Sequence, residues 1–300
     1  MSRVLTTMPA IALALTVLTG CGLAQDASGT STPNADTASA TGDPQAKRHR
    51  MEAIRADCMK SKGFKHIPYV PPLEKPSAQK AKMMNGDYAA MREEREKYGF
   101  DVFFAYVYPG DPRHVLKESQ MTQDPNNKLH DSLSSTQQQA RKVADDACYT
   151  AAFNEITGKR YTSRENRADQ VDALRARART RELDGDARLV ELAAAFGDCL
   201  KGKGYPVPSL KPTAISTSGE DRFNAEFFKA IDELMAMKDE GTASSDELTP
   251  ETARPYFVKE RKAALDDLEC GKDFYAAFLP KEQKIKAEVQ RESGETDELQ

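Results

Sequence analysis

Two stretches of the chain read almost alike. They are Asp57-Cys58-Met59-Lys60-Ser61-Lys62-Gly63-Phe64 and Asp198-Cys199-Leu200-Lys201-Gly202-Lys203-Gly204-Tyr205, with five of the eight positions identical. Each closes a pattern of apolar residues at spacings of three and four, such as Met51, Ile54 and Cys58 or Leu189, Leu192, Phe196 and Cys199, which marks one face of a helix. Glycine at the end of each fits a left-handed helix stop, and the lysines before it suit the negative end of the helix dipole. Each copy is followed by one further cysteine on a predicted helix, Cys148 and Cys270, with Asp145 and Asp267 three residues before them. An internal duplication, with each unit pinned by its own disulfide, is the simplest reading.

Four cysteines allow three pairings. Cys58–Cys148 with Cys199–Cys270 treats both copies alike and is preferred. The separations are 90 and 71 residues, and chain-entropy arguments give about 4–5 kcal/mol for closing loops of that size. With 39% hydrophobic residues and no Trp, the chain has reason to use such pins. No CxxC is present, so a redox role has no support.

The fifth cysteine, Cys21, belongs to an export signal. Arg3 supplies a positive start, Pro9 to Leu18 a short apolar run, and Leu18-Thr19-Gly20-Cys21 resembles a bacterial lipobox. That resemblance implies a signal peptide over residues 1–20 and a lipidated Cys21 at the mature N-terminus. Acyl chains contribute about 0.8 kcal/mol per buried CH₂, enough to hold a protein on a membrane without a spanning helix. Residues 21–46 are then the lipidated cysteine and a flexible linker of Ala, Ser, Thr, Gly, Pro and Asp. Its root-mean-square span is about 25–30 Å.

The expected order beyond the linker is a first helical unit at 47–160, a connecting helix at 161–185, a second unit at 186–280 and a charged tail at 281–300. Within the first unit, helices are predicted over Lys47 to Lys62 and Asp87 to Tyr98. Phe100 to Tyr108, rich in aromatic and β-branched residues, reads as a strand or buried extended segment. Residues 111–131 read as a loop, and a capping box from Ser135 to Gln138 opens a long helix to Gly158. In the second unit, Arg222 to Asp239 and Pro255 to Ala277 read as helices, with Pro280 breaking the pattern. The fold class is therefore mainly α: two related disulfide-braced helical units, with room for a short β element near residues 100–108.

At this level the chain resembles uncharacterised exported lipoproteins of actinobacteria that carry a C-[ML]-x₃-G-[FY] motif, often duplicated, with a later helical cysteine. The resemblance covers about Met51 to Ala277. Tyr98-Gly99-Phe100 is similar to an aromatic-Gly-aromatic element of that family, whereas Phe196 stands where members carry Trp. It implies location and bracing, at the outer face of the cytoplasmic membrane, and no chemistry.

Composition and motifs narrow the function classes. The net charge is −4 with both signs interspersed, which gives no reason to expect nucleic acid as a partner. The four histidines, His49, His66, His114 and His130, have no zinc-ligand spacing, and no acyl-transfer signature occurs. No catalytic residue, metal ligand or cofactor is assigned. The paired carboxylates Asp145/Asp146 and Asp266/Asp267 point about 100° apart on a helix. One of each pair is expected to meet a lysine of the companion helix, Lys60 or Lys201. The candidate recognition surface is Phe100, Phe103, Phe104, Tyr106 and Tyr108, with core packing alone as the preferred account of the run. The expectation is a membrane-anchored, non-enzymatic protein that binds or scaffolds an envelope component. A small-molecule or peptide receptor and an envelope hydrolase with an unrecognised site are the alternatives.

Overall fold

The computed structural model describes residues 44–72, 75–114, 124–239 and 248–295. The signal segment, Cys21 and nearly all of the linker lie outside the described residues. Residues 42–300 form one compact unit. It is mainly helical, with twelve helices and no strand among the described residues.

Two pairs of helices carry the disulfides. The first joins α1 (Pro44–Ser61) to α6 (Ser135–Thr157) through Cys58–Cys148. The second joins α8 (Ala187–Gly202) to α11 (Pro250–Cys270) through Cys199–Cys270. The duplicated motif ends α1 and α8 by one hydrogen-bond scheme. The Gly63 N–H donates to the Lys60 carbonyl at 3.0 Å and the Phe64 N–H to Met59 at 3.0 Å. Gly204 to Lys201 at 2.9 Å and Tyr205 to Leu200 at 3.0 Å repeat it. This is a Schellman stop, which needs a left-handed residue at the glycine and favours an apolar contact across the last turn. The glycines have φ of +81° and +84° with open space around each, so backbone conformation, not room, selects them. Met59 and Leu200 are buried beneath the aromatic residue that follows. Each letter of the motif thus has its cause: a pin, a buried plug, a turn and a lid.

The remaining helices are α2 (Ala78–Met84), α3 (Tyr88–Tyr98), α4 (Phe104–Val107), α5 (Pro125–Asp131), α7 (Arg164–Arg179), α9 (Pro212–Ile215), α10 (Ser218–Asp239) and α12 (Lys272–Ser293). A π turn, Thr180–Asp184, closes α7. The capping box of α6 sits one residue earlier than expected, with Ser134 and Gln137 bonding reciprocally. The expected loop at 111–131 contains α5, which is capped by Asp124 and starts with Pro125.

Three larger differences from the sequence reading stand out. No strand forms at 100–108; the segment is a bend followed by the short helix α4. Pro280 does not end the helix, and the expected tail runs as α12 to Ser293. An internal proline costs about 3 kcal/mol. Phe274, Tyr275, Phe278, Ile285 and Val289 are all buried on α12, and each large side chain returns about 1.5–3 kcal/mol, so burial wins. Finally, the two halves are not separate bodies. Met83, Tyr88 and Met91 pack into the main core with Leu189, Phe196, Leu268, Phe274 and Ile285. Phe103, Phe104 and Val107 pack with Phe223 and Phe257. Residues 78–107 precede Cys148 in sequence yet lodge against α8, α10, α11 and α12. The connector α7 joins the same core through Val171 and Ala178.

Candidate functional site

The aromatic segment is organised by a distant carboxylate. Glu260 on α11 is fully buried. Its Oε1 accepts the N–H groups of Phe100 (2.7 Å) and Val102 (3.0 Å), and its Oε2 that of Phe103 (2.9 Å). A backbone that would otherwise need a strand partner is satisfied by one side chain, which is why the β-prone residues form no strand. Gly99, at φ +67°, lets the chain pass over this carboxylate: a Cβ there would lie 2.9 Å from its Oε1. Burial pushes the Glu260 carboxyl above its ordinary range, while the three backbone N–H groups pull it down.

Around this anchor the predicted recognition residues turn mostly inward. Phe103 stacks on Tyr256 at 4.9 Å and Phe104 meets Tyr98 edge-on at 4.7 Å, both buried. Half-buried Phe100 lies 5.8 Å from Phe223, and Tyr106 lies 5.1 Å from Phe227. Of the five, Tyr108 alone is exposed, at 42%. The segment therefore packs mostly as core and presents no continuous surface, with Phe228 (63% exposed) extending the aromatic chain from Phe227 outward.

The carboxylate pairs meet basic groups, but not the lysines expected. Asp145 binds Arg55 through both oxygens at 2.9 Å and Arg164 at 2.8 Å. Arg55 also holds Glu52, which pairs with His66 at 3.0 Å. Asp267 is bonded by Arg95 of α3 and, at 2.8 Å, by the Tyr275 hydroxyl. Burial opposes the Arg95 charge, but attraction to Asp267 outweighs it and holds the guanidinium above its ordinary range. Burial pushes the Tyr275 hydroxyl up. Asp266 accepts from Lys203 (2.9 Å), Lys262 (2.6 Å) and Tyr205 (2.5 Å). Burial works against its ionisation; these three donors override that and hold it well below the carboxylate range. Every acid here is spoken for by neighbours, which is the arrangement of structural ion pairs.

An open groove of about 510 Å³ offers a different surface. Its walls are the 159–161 turn after α6, one face of α7 and the C-terminal end of α12. The floor is apolar, from Val171 and Leu174, and the rim carries Lys159, Arg160, Arg177, Gln170 and Glu292. The Lys159 ammonium donates to the Glu292 carbonyl, and Tyr161 donates to the Ser293 carbonyl at 3.0 Å. Arg160 and Arg177 are exposed, and their guanidinium groups have no hydrogen bond or ion pair among the described residues. Sequence reasoning missed this groove. The Lys159-Arg160-Tyr161 run after the Gly158 stop was the local hint, but Arg177 and Glu292 reach it only through the fold.

Among the described residues no group of three or more His, Cys, Asp or Glu is placed to hold a metal ion. No described helix is long and apolar enough to cross a membrane. Compared with protein-family models, curated proteins and solved structures, the chain finds no match.

Proposed function

We propose that this chain is an extracytoplasmic lipoprotein, anchored through Cys21 at the outer face of the cytoplasmic membrane, that binds a small anionic ligand without transforming it. The groove carries the reading. Two unpaired arginines beside an apolar floor suit a ligand with a carboxylate or phosphate and an apolar body, and its volume falls among ordinary small-molecule sites of about 300–1,000 Å³. The anchor rests on the apolar run and the Leu18-Thr19-Gly20-Cys21 sequence. The paired disulfides agree with an oxidising compartment.

Fractionation of cells expressing the wild type and Cys21→Ala tests the anchor. The wild type stays in membranes after an alkaline wash and the variant is released; identical partitioning would remove the anchor from the reading. A second role, docking of an envelope protein, is favoured by one observation. Phe228 and Tyr108 stand exposed beside the aromatic cluster, as interface anchors do. Crosslinking in membranes with Phe228→Ser and Tyr108→Ser tests it; an unchanged crosslink pattern rejects it.

A further inference from the structure

The groove has a definite neighbour. Tyr161, which lines it, belongs to one cluster with Met51 of α1 and Ala152 and Phe153 of α6. Arg50 approaches Glu155 at 3.8 Å at the same end of the pair. Met51, seven residues into α1, therefore shares a cluster with a residue of the groove wall. Under the proposed anchoring, the 22 residues between Cys21 and Pro44 connect α1 to the lipid surface. The groove would then sit within reach of the lipid surface.

Its charge fits that surface. Lys159, Arg160 and Arg177 line it against a single carboxylate, Glu292. Exposed His49 and Arg50 stand on the first turns of α1. The nearby acids Glu155 and Glu295 face Arg50 and Arg167 respectively. Arginine forks match phosphate oxygens, and basic residues near an anionic leaflet strengthen a lipid anchor that is marginal with one signal. We infer that the groove holds the phosphate headgroup of an anionic phospholipid, with Arg160 and Arg177 on the phosphate and Val171 and Leu174 under the glycerol and first methylenes. This inference rests on the lipoprotein reading and names the ligand of its site.

The full chain carrying Cys21→Ser, which removes the acylated sulfur, is titrated calorimetrically with three soluble probes. They are dihexanoyl phosphatidylglycerol below its micelle concentration, dihexanoyl phosphatidylcholine and glycerol 1-phosphate. Phosphatidylglycerol is expected to bind at least tenfold tighter than either other probe, and more weakly as salt rises. Arg160→Gln with Arg177→Gln is expected to weaken it at least tenfold at an unchanged thermal midpoint, and Glu292→Gln to tighten it. Equal binding of glycerol 1-phosphate would overturn the lipid in favour of a free phosphate ester. Equal binding of phosphatidylcholine, or indifference to the arginine pair, would overturn the site. Loss of the Cys21 anchor in fractionation would instead strike the localisation, and is read separately.

Discussion

The two braced pairs share a stop and a pin but are filled differently. In the first, Phe64 closes over Ala144 with Met59 and Cys148 in a small apolar cluster. In the second, the equivalent residues are Tyr205 and Asp266, joined by a hydrogen bond of 2.5 Å. An aromatic lid lies over a methyl in one pair, and a hydroxyl over a carboxylate in the other. Three residues before the first cysteine, Arg55 supplies the cation for Asp145, whereas its counterpart Phe196 is buried against Phe274 and Tyr275. The second pair has given its own cation away to the core and imports Arg95 from α3 for Asp267. The lesson is that the copied element fixes backbone and bracing, while the seam between helices is free to be ionic or apolar according to what packs outside it.

The largest effect that can test this contrast is removal of the imported cation. Arg95→Met leaves Asp267, almost fully buried, with the Tyr275 hydroxyl but without its counter-charge, at a cost of about 3–5 kcal/mol. Arg55→Met should cost less, about 1 kcal/mol, because Asp145 keeps Arg164 at 2.8 Å and Glu52 keeps His66 at 3.0 Å. Denaturant midpoints measure both, and equal losses would show that the two seams are alike after all.

Next comes the anchor of the crossing segment. Glu260→Leu orphans three backbone N–H groups, an expected loss of about 2–4 kcal/mol at about 1–3 kcal/mol per unsatisfied buried donor, with partial relaxation. Glu260→Gln keeps one oxygen for two of the donors and should fall between that variant and the wild type. A Glu260→Leu protein as stable as the wild type would mean that aromatic packing alone holds the segment.

The pins differ in access. Cys199 is exposed, whereas Cys148 is fully buried. A mild thiol reductant should open Cys199–Cys270 first, as read by mass-labelling of the freed thiols; simultaneous or reversed opening would contradict the packing described. In the oxidised Cys58→Ala/Cys148→Ala protein, amide exchange should accelerate in α1 while α8, α11 and α12 stay protected, because α1 packs chiefly on α6.

The smallest effects concern Asp266. Tyr205→Phe should cost about 0.5–1.5 kcal/mol, and Tyr205→Phe with Asp266→Ala less than the sum of the two single changes. The carboxyl of Asp266 is held below its unfolded value of about 3.9. Its stabilisation is therefore complete above that value and is lost as the pH falls below about 4. Asp266→Asn should flatten that part of the acid-unfolding curve, and an unaltered acid limb would show that its donors contribute nothing.

What the letters disclosed was local. The repeated cysteine, plug and glycine carry their own hydrogen bonds within six residues, so periodicity and turn chemistry suffice to read them. The preference for equal treatment of the copies matched the disulfides. The fate of Phe100 to Tyr108 was hidden because buried aromatic residues look the same in a strand and in a capped bend. Glu260, which decides between them, lies 157–160 residues away. Pro280 misled for a similar reason: a local penalty was visible, and the tertiary burial of Ile285 and Val289 that exceeds it was not. The groove depends on Arg160, Arg177 and Glu292, which no short motif unites.

The crossing of residues 78–107 has a mechanical corollary. A protease that nicked the backbone near residue 160 would not release two products. The amino-terminal fragment would leave Met91, Phe103, Phe104 and Val107 embedded in its sister, with Arg95 and Glu260 tying the knot from opposite sides. Fragments made separately would each lack a wall, so neither half keeps its packing without the other.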